Sequence, residues 1–267
     1  MIAAPAARAW PGPRRRLARA SAAAGLIVPL SLLVLWQMGA HRGWITPQIL
    51  PAPDAVWAAA ADLWDSGDLQ ANIAVSLRRV AEGGAAGTLA GLLLGAAMGL
   101  SPAIEDYLKP TFLALAQVPS LALIPLLMML LGIGEALKLV VIAKATLVPV
   151  ALNTHRGIRA VPADYKEVGA LFRFSRAQTL RRIVLPAAAP PIFTGLRYGL
   201  SHAWLALVAV ELLASTEGLG YLLVWGRQMF QLDTVLVAMA AIAAIGLALD
   251  RSLAFGEARF ARWRAPA

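Results

Sequence analysis

Five side chains that carry charge or titrate stand inside stretches that are otherwise apolar: Lys138, Lys144, Arg197, His202 and Glu211. An ionisable group within a membrane-spanning segment costs about 2.5–3.5 kcal/mol on insertion scales, so each needs a partner or a function. Arg197 either offers a cation to an anion in a solute pathway or binds a backbone carbonyl or an acidic partner. Glu211 falls on the same apolar stretch about 21 Å further on at 1.5 Å per residue, too far for the two to pair. Glu211 reads as a structural or gating residue near one mouth, Lys144 as a buried pairing residue, and all three are pathway or gating candidates. His202 reads as a hydrogen-bonded packing residue, since no second metal ligand shares its span.

A different chemistry, docking, is written into the segment from Val161 to Pro186, PADYKEVGALFRFSRAQTLRRIVLP after the valine. Seven Lys or Arg residues lie between Arg156 and Arg182, against only Asp164 and Glu167. A loop that basic is retained in the cytoplasm. Its caps predict two short helices: Asp164 with Glu167 three residues on, then Ser175 with Gln178 three residues on. Pro186 restricts Leu185 and predicts a break or bend there. Leu171, Phe172 and Phe174 supply an apolar knob, and Glu167, Arg173 and Arg176 a charged handle. Glu167 also serves as the second half of a capping box.

The elements that must position these groups are membrane spans. The chain has 267 residues, 59% of them apolar and 15% charged, with a mean hydropathy of +0.67. That composition is an integral membrane protein's. Spans of about 20 apolar residues are read at 20–40, 83–104 and 110–134, with interrupted ones at 136–152, 192–213 and 235–249, six in all. The net charge of +9 is explained by topology rather than by nucleic acid. A basic N-terminus (1–19), the loop 153–185 and a basic C-terminus (250–267) all fall on the cytoplasmic side of the six-span domain 20–249.

Residues 50–64, LPAPDAVWAAAADLW, read as an amphipathic helix capped by Asp54 and ended by Ser66-Gly67, with Trp57 and Trp64 on one face. Gly83, Gly87, Gly91, Gly95 and Gly99 recur at every fourth position, a stripe that lets a neighbouring backbone approach closely, in the same chain or in a second copy. The stripe drifts by about 40° per step round a straight helix, which calls for an inclined crossing.

Several functions are excluded. There is no cysteine, hence no thiolate metal site or thiol nucleophile. No GxxxxGK[ST] loop occurs, so the chain has no phosphate-binding loop of its own for ATP. No acid, base and metal-ligand cluster marks an enzyme. An ion-coupled secondary transporter remains the alternative class, although it calls for midplane carboxylates and repeated halves, and no repeat is visible.

The spacing from Glu167 to Ile183-x-Leu185-Pro186 resembles the EAA loop of permease subunits in bacterial ATP-driven (ABC) importers. The stretches ILPAPDAVW (49–57), SLRRV (76–80), VPSLALIPL (118–126), LNTHRGIR (152–159), TGLRYGLSHAW (194–204), VAVELL (208–213) and EGLGYLL (217–223) are similar to the nitrate, sulfonate and taurine branch. The resemblance implies an all-α type I importer bundle of about six spans with a cytoplasmic helical coupling loop. It implies a loop, here Glu167, Gly169, Leu171, Phe172, Arg173, Phe174, Arg176, Ile183, Leu185 and Pro186, that seats on a separate ATPase subunit. The implied partners are cytoplasmic ATPase subunits, a periplasmic or lipid-anchored substrate-binding protein, and a second permease copy or a sister permease. No cofactor is implied. The implied place is the bacterial inner membrane with both termini cytoplasmic. The implied substrate is a small oxyanion such as an aliphatic sulfonate, taurine or nitrate, or alternatively a thiamine-precursor pyrimidine or other organic solute. Two departures stand out: Val168 and Gly169 replace alanines, and Arg173 stands where the family turns on a glycine. Lys144 also stands where that branch has an apolar or small residue.

Overall fold

The computed structural model describes residues 14–261, and side chains from Ile27 to Glu257 except that of Lys166. Arg8, Arg262 and Arg264 of the expected basic termini lie outside the described residues. Helices account for every regular element among them, in the order α1 (Arg14–His41), α2 (Pro53–Asp65), α3 (Asp68–Leu100), α4 (Pro102–Gln117), α5 (Ile124–Leu131) and α6 (Glu135–Arg159). They continue with α7 (Ala163–Leu171), α8 (Arg176–Thr179), α9 (Leu185–Ala214), α10 (Leu219–Gln228) and α11 (Leu232–Ala261).

The described chain divides into two compact units, one ending at Ala58 and the other starting at Ala59. In the first, the Trp36 indole N–H donates to the carbonyl of Pro51 at 3.1 Å and tethers the segment after α1 to that helix. Helix α2 begins with Pro53, whose missing N–H costs nothing in a first turn, and Asp54 stands inside that turn rather than as the expected cap. Trp57 and Trp64 are exposed, and Gly67 at φ 84° ends the segment where the sequence placed its stop.

The second unit is built around α6. The glycine stripe of α3 lies on it: a Cβ at Gly91 would meet the Leu147 carbonyl oxygen at 2.8 Å, and one at Gly95 the Ala151 carbonyl oxygen at 2.5 Å. Gly83 faces Ile142 and Gly99 faces Ile158, so the two helices run in the same direction and the stripe's partner is in the same chain. Contact recurs at every fourth residue on both helices, from Gly83 against Ile142 to Gly99 against Ile158. Parallel neighbours require the chain between them to return across the bundle. The α4–α5 segment does so as a broken element, bent by 82° at the Val118–Ser120 break. The single apolar run read at 110–134 is therefore two helices, because Pro119 has no N–H to continue the ladder and holds Val118 extended at ψ 116°.

Helix α9 packs antiparallel on α6, with Gly199 against Val150 and Gly195 against Asn153, and α11 packs on α9 through Gly246 against Trp204. Ile124, Leu137, Val141, Ala206 and Val210 form the core where α5, α6 and α9 meet. By length and composition three described helices could cross a membrane, or four if the bent pair counts as one span. Helix α6 is not among them because Lys138, Lys144 and its basic last turn lower its hydropathy, yet it accompanies α3 along the stripe. Helix α11 continues through the expected boundary at 249 to Ala261.

Candidate functional site

Helix α7 starts at Ala163 with Pro162 as its N-cap and no side-chain cap bond, so the box expected from Asp164 and Glu167 is not formed. Pro162 already fixes the entry, and Asp164 falls in the first turn, where its charge still favours the helix N-terminus. The second box is present: the Gln178 N–H donates to Ser175 Oγ at 3.3 Å and the Ser175 N–H to Gln178 Oε1 at 2.8 Å. Between the helices the Arg173 N–H donates to the Ala170 carbonyl and the Phe174 N–H to the Gly169 carbonyl, both at 2.9 Å. That bond pair is a Schellman turn, and Arg173 itself takes the left-handed conformation at φ 52°. Arginine thus tolerates the backbone that glycine would adopt freely, at roughly 1–2 kcal/mol.

Ile183 packs into the space left by the absent side chain of Gly169, where a Cβ would lie 2.7 Å from Ile183 Cδ1. Leu171 and Phe172 remain 83% and 70% exposed at the turn. Phe174 instead lies half-buried under the Arg182 guanidinium, 5.4 Å from its ring centroid. Glu167, Arg173 and Arg176 are exposed around this tip. At Pro186 the expected break is absent, because residues Leu180–Val184 form a π-turn that runs directly into α9. A π-turn rephases the backbone by one residue, which accommodates a proline without ending the helix. Leu185 is helical and 43% exposed.

The three in-span candidates lie in three different settings. Arg197 is paired: its Nε is 2.9 Å from Asp250 Oδ1 and its Nη1 3.3 Å from Glu257 Oε2, both on α11. Glu211 is fully enclosed, accepting from Ser76 Oγ at 2.9 Å, from Arg79 Nη1 at 2.9 Å and from the Gly220 N–H at 3.0 Å. Lys144 donates to the Val118 carbonyl at 2.6 Å and lines a cavity of about 470 Å³ at the α4–α5 break. His202 sits on the same cavity, its Nδ1 2.8 Å from the Tyr198 carbonyl.

Sequence reasoning missed Arg79, the hub of the largest charge cluster among the described residues. Its side chain is wholly buried and reaches Glu135 Oε1 at 2.6 Å, Glu211 Oε1 at 2.9 Å and Glu217 Oε1 at 2.9 Å. Lys138 adds a 2.7 Å contact to Glu135. Three carboxylates around one guanidinium join α3, α6, the end of α9 and the turn before α10, which makes this a clamp rather than an open path. A second cluster joins the start of α4 to the end of α6, where Glu105 meets Arg159, Lys109 at 2.7 Å and His155 at 3.0 Å.

The sequence is similar to those of known proteins. Residues 87–262 match the model of the family described as "Binding-protein-dependent transport system inner membrane component". The putative aliphatic sulfonates transport permease protein SsuC of Bacillus subtilis (strain 168) is 34% identical over 240 residues, 90% of this chain and 87% of that one. The taurine transport system permease protein TauC of Escherichia coli (strain K12) is 35% identical, covering 87% of this chain and 86% of its own length. The nitrate import permease protein NrtB of Synechocystis sp. (strain ATCC 27184 / PCC 6803 / Kazusa) is 34% identical, with 85% and 84% covered.

Proposed function

The chain belongs to the family of binding-protein-dependent transport system inner membrane components, and from that premise we propose which parts of this permease do the work. It is a non-catalytic, multi-pass membrane subunit of an ABC importer, and ATP hydrolysis belongs to a separate subunit. The α7–α8 hairpin is its coupling element, seating on a cytoplasmic ATPase subunit. The observation that carries this reading is the exposure of Leu171 and Phe172 at 83% and 70% on a turn whose Phe172, Arg173 and Phe174 N–H groups are all hydrogen-bonded. Exposed apolar groups on a rigid, basic tip call for a protein partner.

The transported solute is a small oxyanion. Relatives named for aliphatic sulfonates, taurine, nitrate and bicarbonate support that class. A periplasmic or lipid-anchored binding protein delivers the solute. One hairpin per chain and two ATPase subunits per importer favour a homodimer. The basic hairpin and basic terminal segments favour a cytoplasmic position for all three.

Phe172→Asp puts a charge into the dry seat of the knob. The variant is expected to insert normally and to lose both ATPase co-purification and ATP-driven uptake. Membrane level, co-purification and uptake are measured together; a variant that keeps its ATPase and transports normally refutes the docking role.

A further inference from the structure

We propose that the cavity at the α4–α5 break is a binding site for a compact oxyanion, with Lys144 as its central charge. Among the described in-bundle cations, Arg79, Lys138 and Arg197 each lie against carboxylates, whereas Lys144 donates to the Val118 carbonyl and forms no ion pair among the described residues. One ammonium hydrogen serves that carbonyl and two remain. Lys144 stands about 14 Å along α6 at 1.5 Å per residue, well inside the bundle, where a cation without a counter-ion is costly.

The cavity wall has one sign of charge. Its ionisable lining residues are Lys144, Arg156 and His202, and no aspartate or glutamate among the described residues lines it. Arg156 is exposed and has no ion pair among the described residues. The His202 Nδ1–H must be the donor to the Tyr198 carbonyl, which directs Nε2 away from its own helix. Ser120 and Asn153 add a hydroxyl and an amide to the same wall. The unwound Val118–Pro119 backbone borders the cavity too, and non-helical backbone at membrane depth persists only against protein or a water-filled space.

These features define the ligand's chemistry. A basic wall without carboxylates rejects cations and favours an anion. At about 470 Å³ the space is toward the small end of ligand cavities, about 300–1,000 Å³. Several separate donors suit a group with two or three equivalent oxygens, a sulfonate, nitrate or bicarbonate. That this ion is the cargo rests on the permease reading above; that the cavity holds an anion does not.

The absence of native cysteine permits a direct charge measurement. Ser120→Cys, in full-length protein in membrane vesicles, is labelled with two thiosulfonate reagents of similar size, one ending in sulfonate and one in trimethylammonium. Each rate is normalised to the reagent's rate with free cysteine. The sulfonate reagent is expected to react about tenfold faster, as one nearby unscreened cation requires. Added methanesulfonate or nitrate should slow it, Lys144→Met should abolish the preference, and Lys144→Arg should keep it. Equal rates, a preference indifferent to Lys144→Met, or no labelling by either reagent would overturn the site. Neither ATP nor uptake enters the measurement, so failure here leaves the permease reading standing, and failed uptake of oxyanions by the wild-type importer leaves the site standing.

Discussion

Lys138 and Lys144 stand six residues apart on one helix and have opposite surroundings. Lys138 is 4% exposed and 2.7 Å from Glu135, inside a cluster that also encloses Arg79 and Glu211. Lys144 is half-buried, donates to a peptide carbonyl and faces open space. The difference separates charge used to hold helices together from charge kept available. In the first setting the buried Arg79 and Glu211 are paired internally, so removing one strands the other. In the second the protein supplies donors in excess of its own acceptors, which is the condition for binding something else.

The most disruptive way to probe this contrast is Arg79→Ala, which leaves Glu211 buried with only Ser76 and Gly220 as hydrogen-bond partners. Losing one side of a buried ion pair costs about 3–5 kcal/mol, so purified yield and thermal unfolding in detergent should fall sharply. Near wild-type stability would show that the cluster is not a clamp. The two lysines then sharpen the comparison. Lys138→Met is expected to cost about 1 kcal/mol, discounted because Glu135 is partly exposed and keeps Arg79. Lys144→Met should change stability by no more than about 0.5 kcal/mol while raising the KM for anion uptake. The reverse ranking in thermal unfolding, with unchanged uptake, would break the distinction.

Arg197 is the intermediate case and the smallest effect. It is held by two acids yet 37% exposed. Arg197→Gln and Arg197→Lys should both lower detergent stability slightly, since neither reproduces the guanidinium's fixed donors, and the assembled glutamine variant should still transport. An assembled but inactive glutamine variant, with the lysine variant active, would move Arg197 from the structural group to that of Lys144.

The hairpin was the most legible part of the chain because its determinants are local. A cap three residues from its partner, and a basic loop between apolar runs, are visible without knowing the fold. Arg79 was not legible, since Glu135, Glu211 and Glu217 lie 56 to 138 residues away and Glu135 and Glu217 sit at helix edges where carboxylates are ordinary. The acids that hold Arg197 were hidden in a segment read as the start of a cytoplasmic tail, which α11 absorbs. Hydropathy alone merged the broken α4–α5 pair into one span, although Pro119 within VPSLALIPL carried the punctuation. Pro186 misled in the opposite direction: a π-turn is set by how a helix is packed at both ends, and no residue type announces it.

That π-turn makes the path from Arg176 to Ala214 one continuous helix, about 58 Å long at 1.5 Å per residue, with Pro186, Pro190 and Pro191 inside it. Gly195 and Gly199 press it against α6 nearer the Glu211 end than the hairpin end. Contact with α6 also runs from Ala188 and Pro191, against Gly157, to Val210 in the core with Leu137 and Val141, so the helix is seated along α6 rather than balanced on one point. A displacement of the hairpin is therefore passed along this seated contact toward the turn that Arg79 clamps, with the π-turn and the prolines as the places where the helix can bend.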